Sequence, residues 1–187
     1  MNKKDLRIKY KALRQEMTTD EVEDKSLAIA NNLLQLNICE KIYYHLFLTI
    51  EEHKEIQTEF ILHLLAGRDK EIVVSKSDFE NAAMKHYLLT DNTRLVKNHY
   101  GIPEPADGIE VPVEKLDVIF VPVLGYDVKG NRTGYGKGFY DRFLAGCRQD
   151  VIKVGLSFFE PEDIISDIDE NDIPLDYCVT PKQVFEF

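Results

Sequence analysis

The sequence lacks the features that mark secreted, membrane-bound and zinc-stabilised proteins. Its 187 residues include no tryptophan and only three cysteines, Cys39, Cys147 and Cys178, an odd number without CxxC spacing. Neither a disulfide framework nor a zinc cage is therefore suggested. The longest apolar run, Val118–Leu124, is far shorter than the roughly 18 residues that span a bilayer, and no apolar stretch follows the N-terminal charges. We expect a protein of the reducing cytoplasm, with no membrane partner.

An excess of basic residues is also lacking. The chain carries 23 Lys and Arg against 33 Asp and Glu, a net charge of −10. Such a charge repels nucleic acid over most of the surface, so no nucleic-acid partner is expected. Residues 1–14 reverse this sign, with six basic side chains and one acidic side chain. This basic segment predicts contact with a small anionic ligand or with an acidic patch of the same chain.

Apolar spacing predicts alternating helices and strands. Leu6, Tyr10, Leu13 and Met17 form one stripe of a helix over residues 3–17. Further helices are predicted after the cap residues 18–20, over 58–65 and from about 139, and strands are predicted at 42–48, 71–75, 84–89, 118–124, 151–156 and 177–179. Residues 95–112, rich in glycine and proline, are predicted to form a long loop. This order favours a single three-layer α/β/α domain, residues 1–187, around a largely parallel sheet.

Glycine is concentrated after the most apolar strand. Five of the ten glycines lie within 14 residues: Gly125, Gly130, Gly134, Gly136 and Gly138. Ligands in open α/β sheets bind beyond the carboxyl ends of the strands, and glycines let backbone N–H groups wrap an anion. Arg132 and Lys137 add two cations to this loop. The pattern favours a phosphate-binding loop; the alternative is a flexible surface turn.

Several common motifs are absent. Asn131 stands where a Walker A loop needs its first glycine, and Phe139 stands where a dinucleotide fingerprint needs its third. The five histidines show no metal-ligand spacing and no recognisable pairing with a serine or cysteine nucleophile, so we assign them no catalytic role. No G-x-S-x-G motif supports a serine hydrolase.

The segment Arg132–Arg142, RTGYGKGFYDR, closely resembles the R-x-G-x-G-K-G-[YF]-Y-D signature of the 5-formyltetrahydrofolate cyclo-ligases. The resemblance extends to Lys3–Arg14, Leu48–Thr58, Tyr100–Pro105 and Asp169–Asp172, and the chain length also matches. Residues Glu51–Lys54 depart from the family pattern, being longer and more charged than the usual short loop. The resemblance implies an ATP- and Mg²⁺-dependent ligase that converts 5-formyltetrahydrofolate into 5,10-methenyltetrahydrofolate, with ATP and Mg²⁺ as cosubstrate and metal.

The resemblance also implies roles for single residues in ATP binding and catalysis. Lys137 and Arg132 would act on the transferred phosphoryl group. The ATP-binding residues would be Lys3, Lys4, Arg7, Arg132, Gly134, Tyr135, Gly136, Lys137, Gly138, Phe139 and Tyr140. The helix over residues 3–17 would close on the loop 130–140. A solvated basic helix face is the alternative for the N-terminal residues.

For the metal and the folate, the resemblance implies carboxylates and an aromatic wall. Asp141 and Asp172 would hold Mg²⁺, although a first-turn acid and a solvated acidic run are the respective alternatives. Glu55 would bind the pterin, with a surface acid before a helix as the alternative. The pterin wall would comprise Leu48, Tyr126, Tyr135 and Phe139, residues that could instead belong to the core.

Two rival functions share this architecture. A non-catalytic nucleotide-binding regulatory module would keep residues 132–140 but could lose Glu55 and the metal carboxylates. A phosphosugar isomerase or acyl-CoA transferase would share only the fold class and would consume no ATP. The favoured hypothesis is the cyclo-ligase, acting on small molecules as a monomer.

Overall fold

The computed structural model describes residues 1–187. The helices are α1 (Lys3–Glu16), α2 (Thr19–Asn32), α3 (Glu59–Ala66) and α4 (Phe139–Ala145). The strands are β1 (Tyr43–His45), β2 (Glu71–Asp78), β3 (Ala83–Leu88), β4 (Leu95–Lys97), β5 (Pro103–Pro105), β6 (Val118–Pro122), β7 (Gly125–Tyr126), β8 (Arg132–Thr133), β9 (Ile152–Leu156), β10 (Tyr177–Val179) and β11 (Val184–Glu186). Short 3-10 helices cover Leu33–Gln35, Glu51–His53 and Val113–Lys115.

Seven strands form one sheet in the order β11-β10-β9-β6-β1-β2-β3. The five inner strands, from β10 to β2, are parallel to one another. The edge strands β3 and β11 are antiparallel to β2 and β10. The predicted α/β fold with a largely parallel sheet is therefore confirmed, and the carboxyl ends of its inner strands meet at one edge.

The central strand β6 shows why the sheet needs helices on both sides. Its side chains alternate between two separate cores. Val118 and Phe120 belong to a core that also contains Ile29 of α2 and Ile61 of α3. Ile119 and Val121 belong to a second core, which contains Phe143 of α4. Because both faces of β6 are buried, its sequence is nearly all apolar.

Helix α1 packs beyond the end of the sheet. Leu6 and Tyr10 form a small separate core with Leu124, just after β6, and with Ile165. The helix begins at an N-cap, Asn2, whose side chain accepts a hydrogen bond from the backbone N–H of Asp5. Its bounds agree with the predicted 3–17 to within one residue. The apolar stripe thus holds α1 against the segment that follows the central strand.

The structure differs from the sequence-based expectations in three segments. Residues 95–112 were expected to be a loop, but β4 and β5 pair there as a hairpin. Prolines at 103 and 105 lack N–H groups, and the flanking bonds come from the N–H groups of Asn98 and Ala106 instead. The hairpin of β7 and β8 and the edge strand β11 were not predicted. The longest helices have 14 residues, and none could cross a membrane.

Candidate functional site

A cavity of about 470 Å³ opens at the carboxyl ends of the inner strands. His45 is the last residue of β1, Ser75 and Ser77 lie in β2, and Pro122 is the last residue of β6. All four line the cavity. The loop from Thr133 to Gly138, which precedes α4, forms another wall. The cavity thus lies where an open α/β sheet places its ligands.

The glycine loop turns tightly over one part of this cavity. Gly136 and Gly138 have φ of 90° and 68°, the left-handed region that side chains disfavour. A Cβ built on Gly136 would lie 3.0 Å from Cζ of Arg7. Glycine at position 136 therefore permits both the turn and the close approach of α1.

Helix α1 directs two of its basic residues to this loop. The Arg7 Nε donates to the carbonyl oxygen of Gly134 at 3.0 Å. The Lys3 ammonium forms an ion pair with Asp172, and both side chains are mostly buried. We call Lys3, Arg7, Arg132 and Lys137, together with Asp141 and Asp172, the cationic region of the cavity; all six line it.

Each acid of the cationic region accepts hydrogen bonds from the protein through only one of its two carboxylate oxygens. The Asp141 Oδ1 accepts from Arg132 Nη2 at 2.8 Å and from the Ile173 N–H at 3.2 Å. The Asp172 Oδ2 accepts from Lys3 and from the Asp169 N–H. Because the other oxygen of each carboxylate makes no hydrogen bond within the protein, each can coordinate a hard cation. Two carboxylates beside a glycine loop that carries cations fit magnesium, which takes few protein ligands.

The Lys137 ammonium lies over two aromatic rings. Its Nζ lies 4.6 Å from the ring centres of both Phe79 and Tyr100, and those centres are 4.3 Å apart. Phe79 follows β2, and Tyr100 lies in the turn between β4 and β5. A cation over such rings is attracted by their electron-rich faces. The β4–β5 hairpin, predicted as a loop, therefore contacts Lys137 through Tyr100 and lines the cavity through Ile102 and Pro103.

The Glu55 carboxylate occupies another part of the cavity and is 3% exposed. Its Oε1 accepts from the Tyr135 hydroxyl at 2.7 Å, and its Oε2 accepts from the Ile50 N–H at 2.9 Å. Burial and the charge of Glu55 raise the pKa of Tyr135, so the hydroxyl remains a donor. We call Glu55, Tyr135 and Arg14, whose Nη1 lies 3.4 Å from the Tyr135 oxygen, the Glu55 region.

The charged segment Glu51–Lys54 brings Glu55 into position. Residues Glu51–His53 form a 3-10 turn, after which Lys54 adopts a left-handed φ of 46°. The Lys54 ammonium donates to the carbonyl oxygens of Gln15 and Met17 at the end of α1, each at 2.6 Å. This charged segment is thus a turn that is tied to the end of the first helix.

Ser75, which lines the cavity, is held between two histidines, although the sequence shows no recognisable pairing of a histidine with a serine nucleophile. The Ser75 oxygen lies 2.7 Å from His45 Nε2 and 2.9 Å from His86 Nδ1. Burial lowers the pKa of His86 to about 4 and lowers that of His45 well below its ordinary value. Both rings are therefore neutral at pH 7. Because β1, β2 and β3 bring them together, sequence spacing carries no sign of this cluster.

Two predicted site residues lie outside the cavity. Tyr126 is fully buried, and its ring packs 5.9 Å and 6.1 Å from the rings of Phe185 and Phe187. The interpretation of Tyr126 as a pterin wall is therefore wrong; the residue belongs to the core beneath β11. Lys4 is exposed and does not line the cavity. It lies about 100° around α1 from Lys3, so only Lys3 faces inward.

The other predicted residues lie together in the cavity. They are Lys3, Arg7, Leu48, Glu55, Arg132, Gly134, Tyr135, Gly136, Lys137, Gly138, Phe139, Tyr140, Asp141 and Asp172. Ser75 and Phe79 are among the lining residues that were not predicted, and the unpredicted Arg14 and Tyr100 do not line the cavity but contact Tyr135 and Lys137, which do. Of these residues, only Arg14 could have been inferred from the sequence, because its spacing places it on the same helical stripe as Arg7.

Comparison with known proteins gives consistent results. Residues 1–181 match the model of the 5-formyltetrahydrofolate cyclo-ligase family. A 5-formyltetrahydrofolate cyclo-ligase of Haemophilus influenzae is 34% identical over 111 residues, 56% of this chain and 58% of that protein. The mouse enzyme of the same name is 28% identical over 93% of this chain and 91% of its own length. The structure of a 5,10-methenyltetrahydrofolate synthetase from Aquifex aeolicus is similar, with a TM-score of 0.81 and 28% identity, over 100% of this chain and 93% of that one.

Proposed function

The chain belongs to the 5-formyltetrahydrofolate cyclo-ligase family, and from this premise we propose that it closes 5-formyltetrahydrofolate to 5,10-methenyltetrahydrofolate. In this reaction ATP is converted to ADP and phosphate. The observation that carries the proposal is one cavity lined both by clustered cations and by a buried carboxylate, Glu55. These two regions suit a polyphosphate and a pterin respectively.

The cationic region supplies the charge that phosphoryl transfer needs. Lys137 and Arg132 would contact the transferred group, and Lys3 and Arg7 would approach the phosphates from α1. The backbone from Gly134 to Tyr140 would wrap them. Such a reaction depends on positioning and charge stabilisation more than on covalent chemistry by the protein. The contact of Arg7 with Gly134 supports this arrangement, because it already holds α1 on the loop.

Asp141 and Asp172 would hold the magnesium ion that accompanies ATP. When bound, the ion would neutralise part of the phosphate charge. The free oxygen on each carboxylate supports this assignment. The present partners of these acids, Arg132 and Lys3, are themselves residues proposed to meet the phosphates.

Glu55 would recognise the pterin, because a carboxylate accepts from the amino and ring N–H groups of such a ligand. Leu48, Phe139 and the ring of Tyr135 would contact its flat faces; all three line the cavity. A carboxylate that is already desolvated and oriented pays little further cost on binding.

The proposed reaction activates a poor leaving group. The γ-phosphoryl group of ATP moves to the formyl oxygen, giving ADP and an activated carbon. N10 of the folate then attacks this carbon, loses its proton, and phosphate departs with the former formyl oxygen. The residues of the chain orient the two substrates and exclude water while these bonds form and break.

We further propose that the protein acts as a single-domain monomer in the cytoplasm. Residues from α1 to Asp172 line one cavity, so a single chain supplies the site. The three cysteines are free thiols, which suits a reducing compartment.

The rival function is a non-catalytic nucleotide-binding module. The observation that speaks against it is the presence of Glu55, Asp141 and Asp172 in the same cavity as the loop. Binding of ATP without turnover of the folate would favour the rival.

The direct test is to mix the protein with Mg-ATP and 5-formyltetrahydrofolate and follow the absorbance of the methenyl product. We expect a rise that requires ATP and disappears when a chelator removes magnesium. Circular dichroism on the same sample establishes that the protein is folded. A folded protein that gives no product would overturn the proposed function.

A further inference from the structure

The Glu55 carboxylate is buried, and the Tyr135 hydroxyl that donates to it also lies within hydrogen-bond distance of the Arg14 guanidinium. Arg14 is 3% exposed, in the last turn of α1. Its Nη2 donates to the carbonyl oxygen of Val123 at 2.7 Å, and its Nε makes no hydrogen bond. A buried guanidinium with so few partners is costly unless a negative charge lies near it.

The Tyr135 hydroxyl stands between these two charges. It donates to Glu55 at 2.7 Å and lies 3.4 Å from Arg14 Nη1. The three groups therefore form a chain of guanidinium, hydroxyl and carboxylate that joins α1, the glycine loop and the turn before α3. Each carboxylate oxygen has two acceptor sites, so both oxygens of Glu55 keep capacity for a ligand.

We propose that Arg14 and Tyr135 are positioning residues that hold Glu55 in the orientation in which it binds the pterin. This inference rests on the proposed function. The Arg14 guanidinium and the Tyr135 hydroxyl act through Glu55, so neither group has to contact the pterin ring. The chain also links folate recognition to the loop that would wrap the phosphates, since Tyr135 lies between Gly134 and Gly136.

The test is to measure the binding of 5-formyltetrahydrofolate by calorimetry without ATP, which makes the result independent of turnover. Tyr135→Phe keeps the ring and the backbone of the loop but removes the hydroxyl. We expect the folate Kd to rise about tenfold, because a hydrogen bond to a charged group is lost. The KM for ATP should stay within about twofold of the wild-type value, because this variant leaves the cations of the loop in place.

A second variant tests whether Arg14, Tyr135 and Glu55 act as one linked series of groups. Arg14→Gln should also raise the folate Kd, and the double variant should bind no more weakly than the weaker single variant, because both act through one group. If Arg14→Gln does not fold, Arg14→Lys replaces it; it keeps the charge but loses the planar fork. Tyr44→Phe is the matched control, since Tyr44 donates a buried hydroxyl bond to Ile38 away from the cavity.

Two outcomes would overturn the inference. The first is a folate Kd of Tyr135→Phe within about twofold of wild type, and the second is additive effects of the two substitutions. Wild-type protein that binds folate but forms no product would overturn the proposed catalysis, whereas this inference, which rests on the proposed binding of the pterin by Glu55, would stand. Wild-type protein that binds no folate would overturn both.

Discussion

The cationic region and the Glu55 region line the same cavity but are built differently. The cationic region is centred on a continuous segment, Arg132–Asp141, to which Lys3, Arg7 and Asp172 are added from distant parts of the chain. The Glu55 region joins three distant segments, and its central contacts are 80 and 121 residues apart in sequence. The first presents several cations and two carboxylates that each keep one oxygen without a hydrogen bond, whereas the second is a buried carboxylate that is already hydrogen-bonded at both oxygens. We therefore expect substitutions in the first to reduce the rate of chemistry and those in the second to reduce folate affinity.

The largest expected effect is that of Lys137→Ala in the cationic region. Loss of one charged donor at a transferred group typically lowers kcat by about 10²- to 10³-fold. The folate Kd should change little, because Glu55 is untouched. Steady-state turnover and calorimetry measure the two quantities separately. Lys129→Ala, which removes an exposed lysine between β7 and β8, is the control and should behave as wild type; near-normal turnover of Lys137→Ala would mean that the loop is misassigned.

In the Glu55 region, the substitution that corresponds to Lys137→Ala is Glu55→Gln. The amide keeps the size of the side chain but removes the charge that accepts from the pterin. We expect the folate Kd to rise about 10- to 100-fold, with the KM for ATP nearly unchanged. Calorimetry and initial rates at varied ATP provide the measurements. An equal loss of affinity for both substrates would erase the proposed distinction between the two regions.

A smaller effect concerns stability and comes from the buried His86. Its folded-state pKa of about 4 lies below the ordinary value of 6.5, so the unfolded chain binds the proton more readily. The contribution of His86 to the free energy of unfolding is therefore fully present above about pH 6.5 and is lost as the pH falls toward 4. The pKa difference at His86 alone predicts that the free energy of unfolding falls by about 2 kcal/mol between pH 7 and pH 5.

Urea unfolding at the two pH values measures this loss. His86→Leu should show a weaker pH dependence than wild type, whatever its absolute stability. His99→Ala, at an exposed position, is the control and should retain the wild-type pH dependence. An unchanged pH dependence in His86→Leu would contradict the prediction.

The smallest effect is expected at an exposed ion pair outside the lining of the cavity. Lys97 of the β4 hairpin pairs with Glu52 at 2.8 Å, and both side chains are more than half exposed. Exposed pairs contribute little, so Lys97→Ala should change the KM for folate by less than about twofold. Initial rates at varied folate measure it; a large change would show that the hairpin contributes more to the Glu55 region than its contacts indicate.

The difference between the two regions also explains what could be predicted from sequence. The mostly parallel sheet followed from apolar runs such as Val118–Leu124, and α1 followed from its stripe, because both patterns are local. The loop residues Gly134, Gly136 and Lys137 are adjacent, so their shared location required no knowledge of the fold. Their individual roles remain predictions.

Contacts between distant segments could not be predicted in this way. The Ser75 cluster and the pair of Phe79 and Tyr100 depend on strand order, which periodicity does not specify. Tyr126 illustrates the converse error. It follows the central strand, as a ligand-binding residue often does, but the unpredicted strand β11 covers it.

The packing of α1 has a consequence for how the protein folds during synthesis. This helix is made early, but its apolar partners Leu124 and Ile165 follow more than a hundred residues later, and Arg7 meets Gly134 across 127 positions. Such long-range contacts form slowly, because a large loop must close first. A chain whose sheet has formed but whose α1 has not docked would lack a wall of the cavity. Ligands that need that wall would therefore add stability only to the completed fold, which makes substrate a selective stabiliser of finished molecules.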